Sequence, residues 1–103
     1  MKSKLKLNPN PTFEIIVAIP VAGQLQDEDV AFTVKSLPQS KLDELTSEGI
    51  LYSDFAKEVV AGWDIDAEFS KDNLMVLLDN YPQSGKLIFD GYAKEIYKAA
   101  EKN

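Results

Sequence analysis

The first third of the chain alternates hydrophobic and polar positions with a period of two, a pattern typical of β-strands. Residues 13–19 place four apolar side chains on one face: Phe13, Ile15, Val17 and Ile19. Residues 30–35 do the same with Val30, Phe32 and Val34. Pro20 ends the first run, and a loop around Gly23 separates it from the second. We therefore predict an antiparallel β-hairpin, which must pack on helices because two strands alone are marginally stable in water.

After this hairpin the apolar spacing changes to three and four residues, which predicts amphipathic helices. Pro38 suits the first turn of a helix, and Gly49 suits a left-handed C-terminal cap. The next helix is expected to begin with Ser53 or Asp54 as N-cap. Its apolar positions recur every fourth residue and predict a helix that continues through Phe55, Val59 and Trp63.

Two further helices are predicted in the last third of the chain. Ser70 is a suitable N-cap for the third helix, and Tyr81-Pro82 ends it. The third helix carries Leu74, Met75, Leu77 and Leu78. The apolar stripe of the fourth comprises Ile88, Phe89, Tyr92, Ile96 and Ala99. Leu87 lies roughly 160° from the centre of this stripe, so Leu87 and Tyr97 are expected off the core face.

Together these elements predict an α+β fold, in which an N-terminal β-hairpin packs on a bundle of about four α-helices. The 103 residues fit a single domain. Residues 1–12 contain two prolines and are expected to form a flexible arm, so the domain proper is residues 13–103. The three lysines of the arm are either solvated or a basic hook for an acidic partner or neighbouring subunit. Similarly, Ile16 and the hairpin edge are either covered by a helix or available for subunit association.

The composition restricts the chemistry. The chain has no cysteine and no histidine, so disulfides, thiolate nucleophiles, ordinary zinc sites and histidine bases are excluded. A formal net charge of −6 opposes binding to nucleic acid or to anionic membranes. We expect the protein to have no catalytic residues and to bind no metal or cofactor. We also expect that it binds neither nucleic acid nor membranes.

Two acidic clusters contain the carboxylates that a cation site needs. Asp64-x-Asp66-x-Glu68 resembles the start of a calcium loop, but Phe69 stands where the loop needs glycine, and Met75 where it needs glutamate. Residues 27–29 are all acidic but lie in the predicted hairpin loop, where solvated charges are ordinary. Neither cluster predicts a bound metal.

Large aromatic residues beside turn residues mark the second half of the chain. Trp63 follows Gly62, Tyr81 precedes Pro82, and Tyr92 follows Gly91. We expect these rings to be mostly core. The spacing resembles the tail assembly chaperones of bacteriophages with long, non-contractile tails. The resemblance rests on Val60, Gly62, Trp63, Asp64, Phe69, Asn73, Leu74, Leu77, Leu78, Tyr81, Pro82, Ile88, Phe89 and Tyr92.

This resemblance implies a non-enzymatic chaperone in the host cytoplasm, absent from the finished virion. It implies that the chain coats the hydrophobic tape measure protein. It also implies that the chain is the short product of an upstream gene that yields a longer product by frameshifting. A longer, frameshifted form would bring tail tube subunits. Residues 101–103, Glu-Lys-Asn, permit adenine-rich codons on which such a slip can occur.

An acidic domain with a few exposed apolar side chains can shield apolar stripes on a helical partner while its charge keeps the assembly soluble. Leu51, Tyr52, Leu87 and Tyr97 are the predicted partner-binding residues. The structural signature of the family is assigned to Gly62, Trp63, Tyr81, Pro82, Phe89 and Tyr92. A homo-oligomer remains open, and the alternative function is an acidic protein-binding inhibitor or a nucleic-acid mimic.

Overall fold

A computed structural model of the protein describes residues 3–98. In chain order, their elements are β1 (Thr12–Ile19), β2 (Glu28–Lys35), α1 (Gln39–Ser47), α2 (Tyr52–Val59), β3 (Val60–Trp63), α3 (Lys71–Asn80) and α4 (Ser84–Ile96). The predicted α+β class, with its N-terminal hairpin and four helices, is confirmed. The predictions made for Ala99 and residues 101–103 lie outside the described residues.

The three strands form one antiparallel sheet in the order β1-β2-β3. Ile15 pairs with Phe32 and Val17 pairs with Val30, so the apolar faces of β1 and β2 coincide. This face is buried against the helices, while Glu14 and Ile16 on the opposite face are exposed. The period-two pattern therefore identified the buried face of the hairpin correctly.

The prediction that the second helix continues through Trp63 is wrong. α2 ends at Val59, and the next four residues form β3, which pairs with β2. β-Branched Val59 and Val60 favour extended backbone, and Gly62 disfavours continuation of the helix. The open edge of β2 supplies hydrogen bonds that stabilise a third strand. A register irregularity at Thr33 and Val34 keeps both Val60 and Trp63 on the helix side of the sheet.

The helix-end signals had mixed outcomes. At the end of α1, Gly49 has a φ of 67°, and the amide of Ile50 donates to the carbonyl of Leu45, as predicted for a left-handed cap. The hydroxyl of Ser70 accepts from an amide one turn into α3, as predicted. The N-cap of α2 is Leu51, rather than Ser53 or Asp54, and its side chain makes no capping hydrogen bond.

α4 packs against both α2 and β1 and so joins the helical layer to the sheet. Gly85 permits the approach to α2, because a Cβ there would lie 3.2 Å from the backbone nitrogen of Ser53. Tyr92 is fully buried, and its hydroxyl donates to the Lys35 carbonyl and accepts from the Leu37 amide. These bonds fix α4 to the end of β2.

Candidate partner-binding surface

A row of aromatic rings connects the core to the surface beside α4. Tyr92 packs on Phe13 and Phe55 with ring centroids 5.2 and 5.4 Å apart. Phe55 contacts Phe89 at 5.0 Å, and Phe89 contacts Tyr52 at 5.3 Å. The row therefore begins at a buried ring and ends at Tyr52, which is about half exposed.

Near this row are several partly or fully exposed apolar side chains, which together we call the α4 apolar surface. It comprises Leu51, Tyr52, Phe89, Ile96 and Tyr97. Phe89 lies on α4, and Tyr97 directly follows the last residue of that helix. Both line a small apolar cavity of about 60 Å³, together with Ile96. The Tyr97 hydroxyl donates to the side-chain oxygen of Gln39, which ties the end of α4 to the start of α1.

Three of the four predicted partner-binding residues are exposed there. Leu51 is 67 % exposed, and Tyr52 and Tyr97 are about half exposed. The prediction that Leu87 lies off the core face is wrong, because its side chain is half-buried against the core. α4 is covered on two flanks, by α2 and by β1, so its buried sector is wider than a single stripe. Ile96, predicted as core, is instead 38 % exposed.

The signature residues occupy less uniform environments than predicted. Tyr92 is buried, whereas Phe89, Trp63 and Tyr81 are half-buried and pack on the core. The indole N–H of Trp63 donates to the carbonyl of Ala67 at 2.8 Å, and its ring meets Phe69 edge-on at 5.1 Å. These contacts close the acidic connector after β3. Gly62 lies on β3 opposite Thr33, while Pro82 is exposed at the junction between α3 and α4.

A second exposed apolar site, on α3, was missed. Met75 and Val76 are half exposed and line a shallow groove of about 570 Å³ beside α2. We call this pair the α3 apolar face. Its signal in the sequence is the run of five apolar residues at 74–78, which surrounds the helix and cannot be buried from one side. The sequence prediction named Met75 as a residue of this helix but did not identify it as exposed.

Several polar groups of the described residues make structural contacts. No buried side-chain nitrogen or oxygen among residues 3–98 lacks a hydrogen-bond partner, and no three carboxylates there form a metal site. The Asp90 carboxylate, 2.8 Å from the Lys86 ammonium, raises the pKa of that lysine at the surface. Burial raises the pKa of the Tyr92 hydroxyl. Both shifts follow from structural contacts.

None of the helices within residues 3–98 combines the length and the apolar character needed to cross a bilayer.

Comparison with known protein families gives one match. A family model described as phage tail assembly chaperone matches residues 1–103, which is the whole chain. No curated protein and no solved structure matches.

Proposed function

This chain belongs to the phage tail assembly chaperone family, and on that premise we propose that it coats and solubilises the tape measure protein through the α4 apolar surface. The family gives the general chaperone role and implies a non-enzymatic function. The observation that supports the finer proposal is the exposure of Leu51, Tyr52 and Tyr97 beside rings anchored in the core. An anchored aromatic surface loses little conformational freedom on binding.

The charge of the domain complements this role. Apolar side chains of the α4 surface would cover an apolar stripe on a helical segment of the partner. The charged side chains on the rest of the domain would then face solvent. Because the net charge is −6, neighbouring copies bound along a long partner would repel one another. Binding per copy is modest, and many copies on one partner provide the avidity.

We also propose the remaining roles that the family resemblance implies. The chain acts in the host cytoplasm, is not retained in the virion, and has a longer frameshifted form that brings tail tube subunits. Reading the last codons of the gene tests the frameshift. An interrupted adenine run with no overlapping downstream frame contradicts a slip at residues 101–103.

The alternative function, an acidic inhibitor or nucleic-acid mimic, needs an array of unpaired carboxylates on one face. Instead, four carboxylates lie within 4 Å of lysine ammonium groups: those of Asp54, Glu58, Asp90 and Glu95. Asp64 accepts a hydrogen bond from a backbone amide of β2. These pairings reduce the number of carboxylates that such an array could use.

The test compares two double variants on co-expression with the tape measure protein. Leu51→Ser/Tyr97→Gln removes two apolar side chains from the α4 surface, and serine at the N-cap of α2 supports the helix. Met75→Gln/Val76→Gln is the matched control on the α3 apolar face, because glutamine is also a good helix former. We expect the first variant to weaken tape measure binding by roughly tenfold or more, since each lost apolar contact contributes about 1–2 kcal/mol.

Soluble tape measure recovered per chaperone, after ultracentrifugation, is the readout, and thermal melting checks that both variants remain folded. Full recovery with the α4 variant contradicts the proposed surface. Loss with the α3 variant alone moves the binding site to α3.

A further inference from the structure

Residues 3–8 of the N-terminal arm contain a strand-like pattern with no strand beside it in the described part of the chain. Lys4, Leu5, Lys6 and Leu7 alternate charged and apolar residues with a period of two. Leu5 is 87 % exposed and Leu7 is 97 % exposed. Burial of these two leucines on another surface would remove apolar area from water and so favour association.

The outer edge of β1 offers such a surface. β1 is the edge strand of the sheet, and Ile16 on its outer face is 72 % exposed. A groove of about 410 Å³ runs between this edge and α4. It is lined by Glu14, Ile15, Ile16, Gly91, Lys94, Glu95 and Lys98. An unpaired edge, beside a groove lined by both apolar and charged side chains, can accept an added strand.

The hydrogen-bond pattern of β1 specifies which of its residues can pair at that edge. The Pro11 carbonyl accepts from the Ser36 amide at 2.9 Å, so Pro11 faces β2. Antiparallel ladders alternate, so the odd-numbered residues of β1 bond to β2, and even-numbered Glu14 and Ile16 direct their backbone groups to the open edge. An added strand must therefore bond to the even-numbered residues.

We propose that the arm of one copy pairs antiparallel with β1 of a second copy, with Lys6 opposite Glu14 and Leu5 opposite Ile15. Lys6 and Glu14 then form a cross-strand ion pair on the outer face of the sheet. Leu5 lies beside Ile15, on the side of the groove. Leu7 falls opposite Phe13 on the same side.

This register closes on itself and accommodates both prolines. When the arm of each copy lies on β1 of the other, Asn10 meets Asn10 on a two-fold axis, and one continuous ribbon forms a symmetric dimer. Pro9 and Pro11 then fall opposite each other at odd-numbered positions. Those positions do not hydrogen-bond in the new ladder, so the missing N–H groups of the prolines cost no bond.

The same segment disfavours pairing of the arm with β1 of its own chain. Such pairing requires residues 8–12 to reverse the chain tightly. Pro9 and Pro11 disfavour helical backbone at Asn8 and Asn10. Although the chain bends at residues 7, 8 and 11, no strand within residues 3–98 pairs with the outer edge of β1. A second copy therefore suits the arm better than its own edge.

Engineered disulfides test the register, because the natural chain has no cysteine. A chain with Lys6→Cys is mixed with a chain with Glu14→Cys and oxidised, and non-reducing gels report the product. We expect a heterodimer, since directly opposed residues have Cα atoms about 5.5 Å apart, within disulfide range. Leu25→Cys, at a fully exposed position in the β1–β2 loop, replaces Glu14→Cys in the matched control.

Heterodimer yields no higher than the control overturn the proposal. So does an internal disulfide in a single chain carrying both Lys6→Cys and Glu14→Cys, because this outcome assigns the edge to its own arm.

Charge exchange gives a second readout by sedimentation of the chaperone alone. Lys6→Glu should weaken the dimer about fivefold by placing like charges opposite each other, and adding Glu14→Lys should restore it. Failure of the second change to restore the dimer contradicts this pair. Because no tape measure protein is present, these results stand independently of the proposed chaperone surface.

Discussion

α3 and α4 are successive helices that both carry aliphatic residues, yet they pack differently against the rest of the fold. α4 lies between α2 and β1 and buries Ile88 and Tyr92 completely. α3 has thinner contacts with α2 and α4 and fully buries only Leu74. Both helices expose apolar side chains, but those beside α4 lie next to an anchored row of rings, whereas Met75 and Val76 project from a lightly attached helix. Apolar exposure therefore has a rigid base on α4 and a weaker one on α3.

Truncation of the central core residue of each helix should give the largest difference in stability effect between α4 and α3. Ile88→Ala should lower the free energy of unfolding by about 3–4 kcal/mol, because it opens a cavity where α4 meets the sheet. Leu74→Ala is chemically similar, but we expect its main effect to be local opening of α3, since that helix can detach without exposing the sheet.

Amide hydrogen exchange distinguishes these outcomes. Ile88→Ala should reduce protection throughout β1, β2 and α4, and Leu74→Ala should reduce it mainly in residues 71–80. A uniform loss of protection in both variants would show that α3 and α4 unfold as one unit and would remove the contrast.

The hydroxyl of Tyr92 is expected to contribute the next largest effect. Tyr92→Phe leaves the Lys35 carbonyl and the Leu37 amide without their partner, which should cost about 2 kcal/mol. Tyr52→Phe is the matched control, and its ring keeps the contact with Phe89. Chemical denaturation at neutral pH should show a loss only for the first variant.

The pKa of Tyr92 adds a pH dependence to this difference. Because burial raises that pKa in the folded state, the unfolded chain loses the phenolic proton first. The stabilisation is complete below the ordinary tyrosine pKa of about 10 and is lost as the pH rises through the folded-state pKa. The difference in free energy of unfolding between wild type and Tyr92→Phe should therefore become smaller only in strong alkali. A gap that widens there is incompatible with a buried neutral hydroxyl.

Sequence periodicity predicted those parts of the fold in which a single face decides burial. The strand residues Ile15, Val17 and Phe32 alternate cleanly, and one side of the hairpin is solvent, so their orientation followed directly. Local capping chemistry likewise predicted Gly49 and Ser70. Each of these signals depends on neighbours a few residues away.

The errors arose where distant elements determine the conformation. Trp63 continues a helical spacing, but the open edge of β2 draws its segment into a strand. Leu87 was placed on the solvent side because the periodicity of α4 cannot reveal that β1 covers a second flank. For the candidate surface, sequence supplied Leu51, Tyr52 and Tyr97, but their connection through Phe89 required the fold.

Two glycines of α4 provide the finest test of how tightly that helix is held. A Cβ at Gly85 would lie 3.2–3.4 Å from backbone atoms of Tyr52 and Ser53, so Gly85→Ala must displace α2. A Cβ at Gly91 would meet only the ends of the Ile15 and Val17 side chains, at 3.5 Å, which is ordinary contact.

Alanine favours a helix over glycine by about 1 kcal/mol. We therefore expect Gly91→Ala to be neutral or stabilising by up to about 1 kcal/mol, and Gly85→Ala to destabilise by about 1 kcal/mol despite the same gain. Thermal melting of the two variants should move in opposite directions. Equal stabilisation by both would mean that α2 yields to α4 easily, and the α4 apolar surface would then lose the rigid base that distinguishes it from α3.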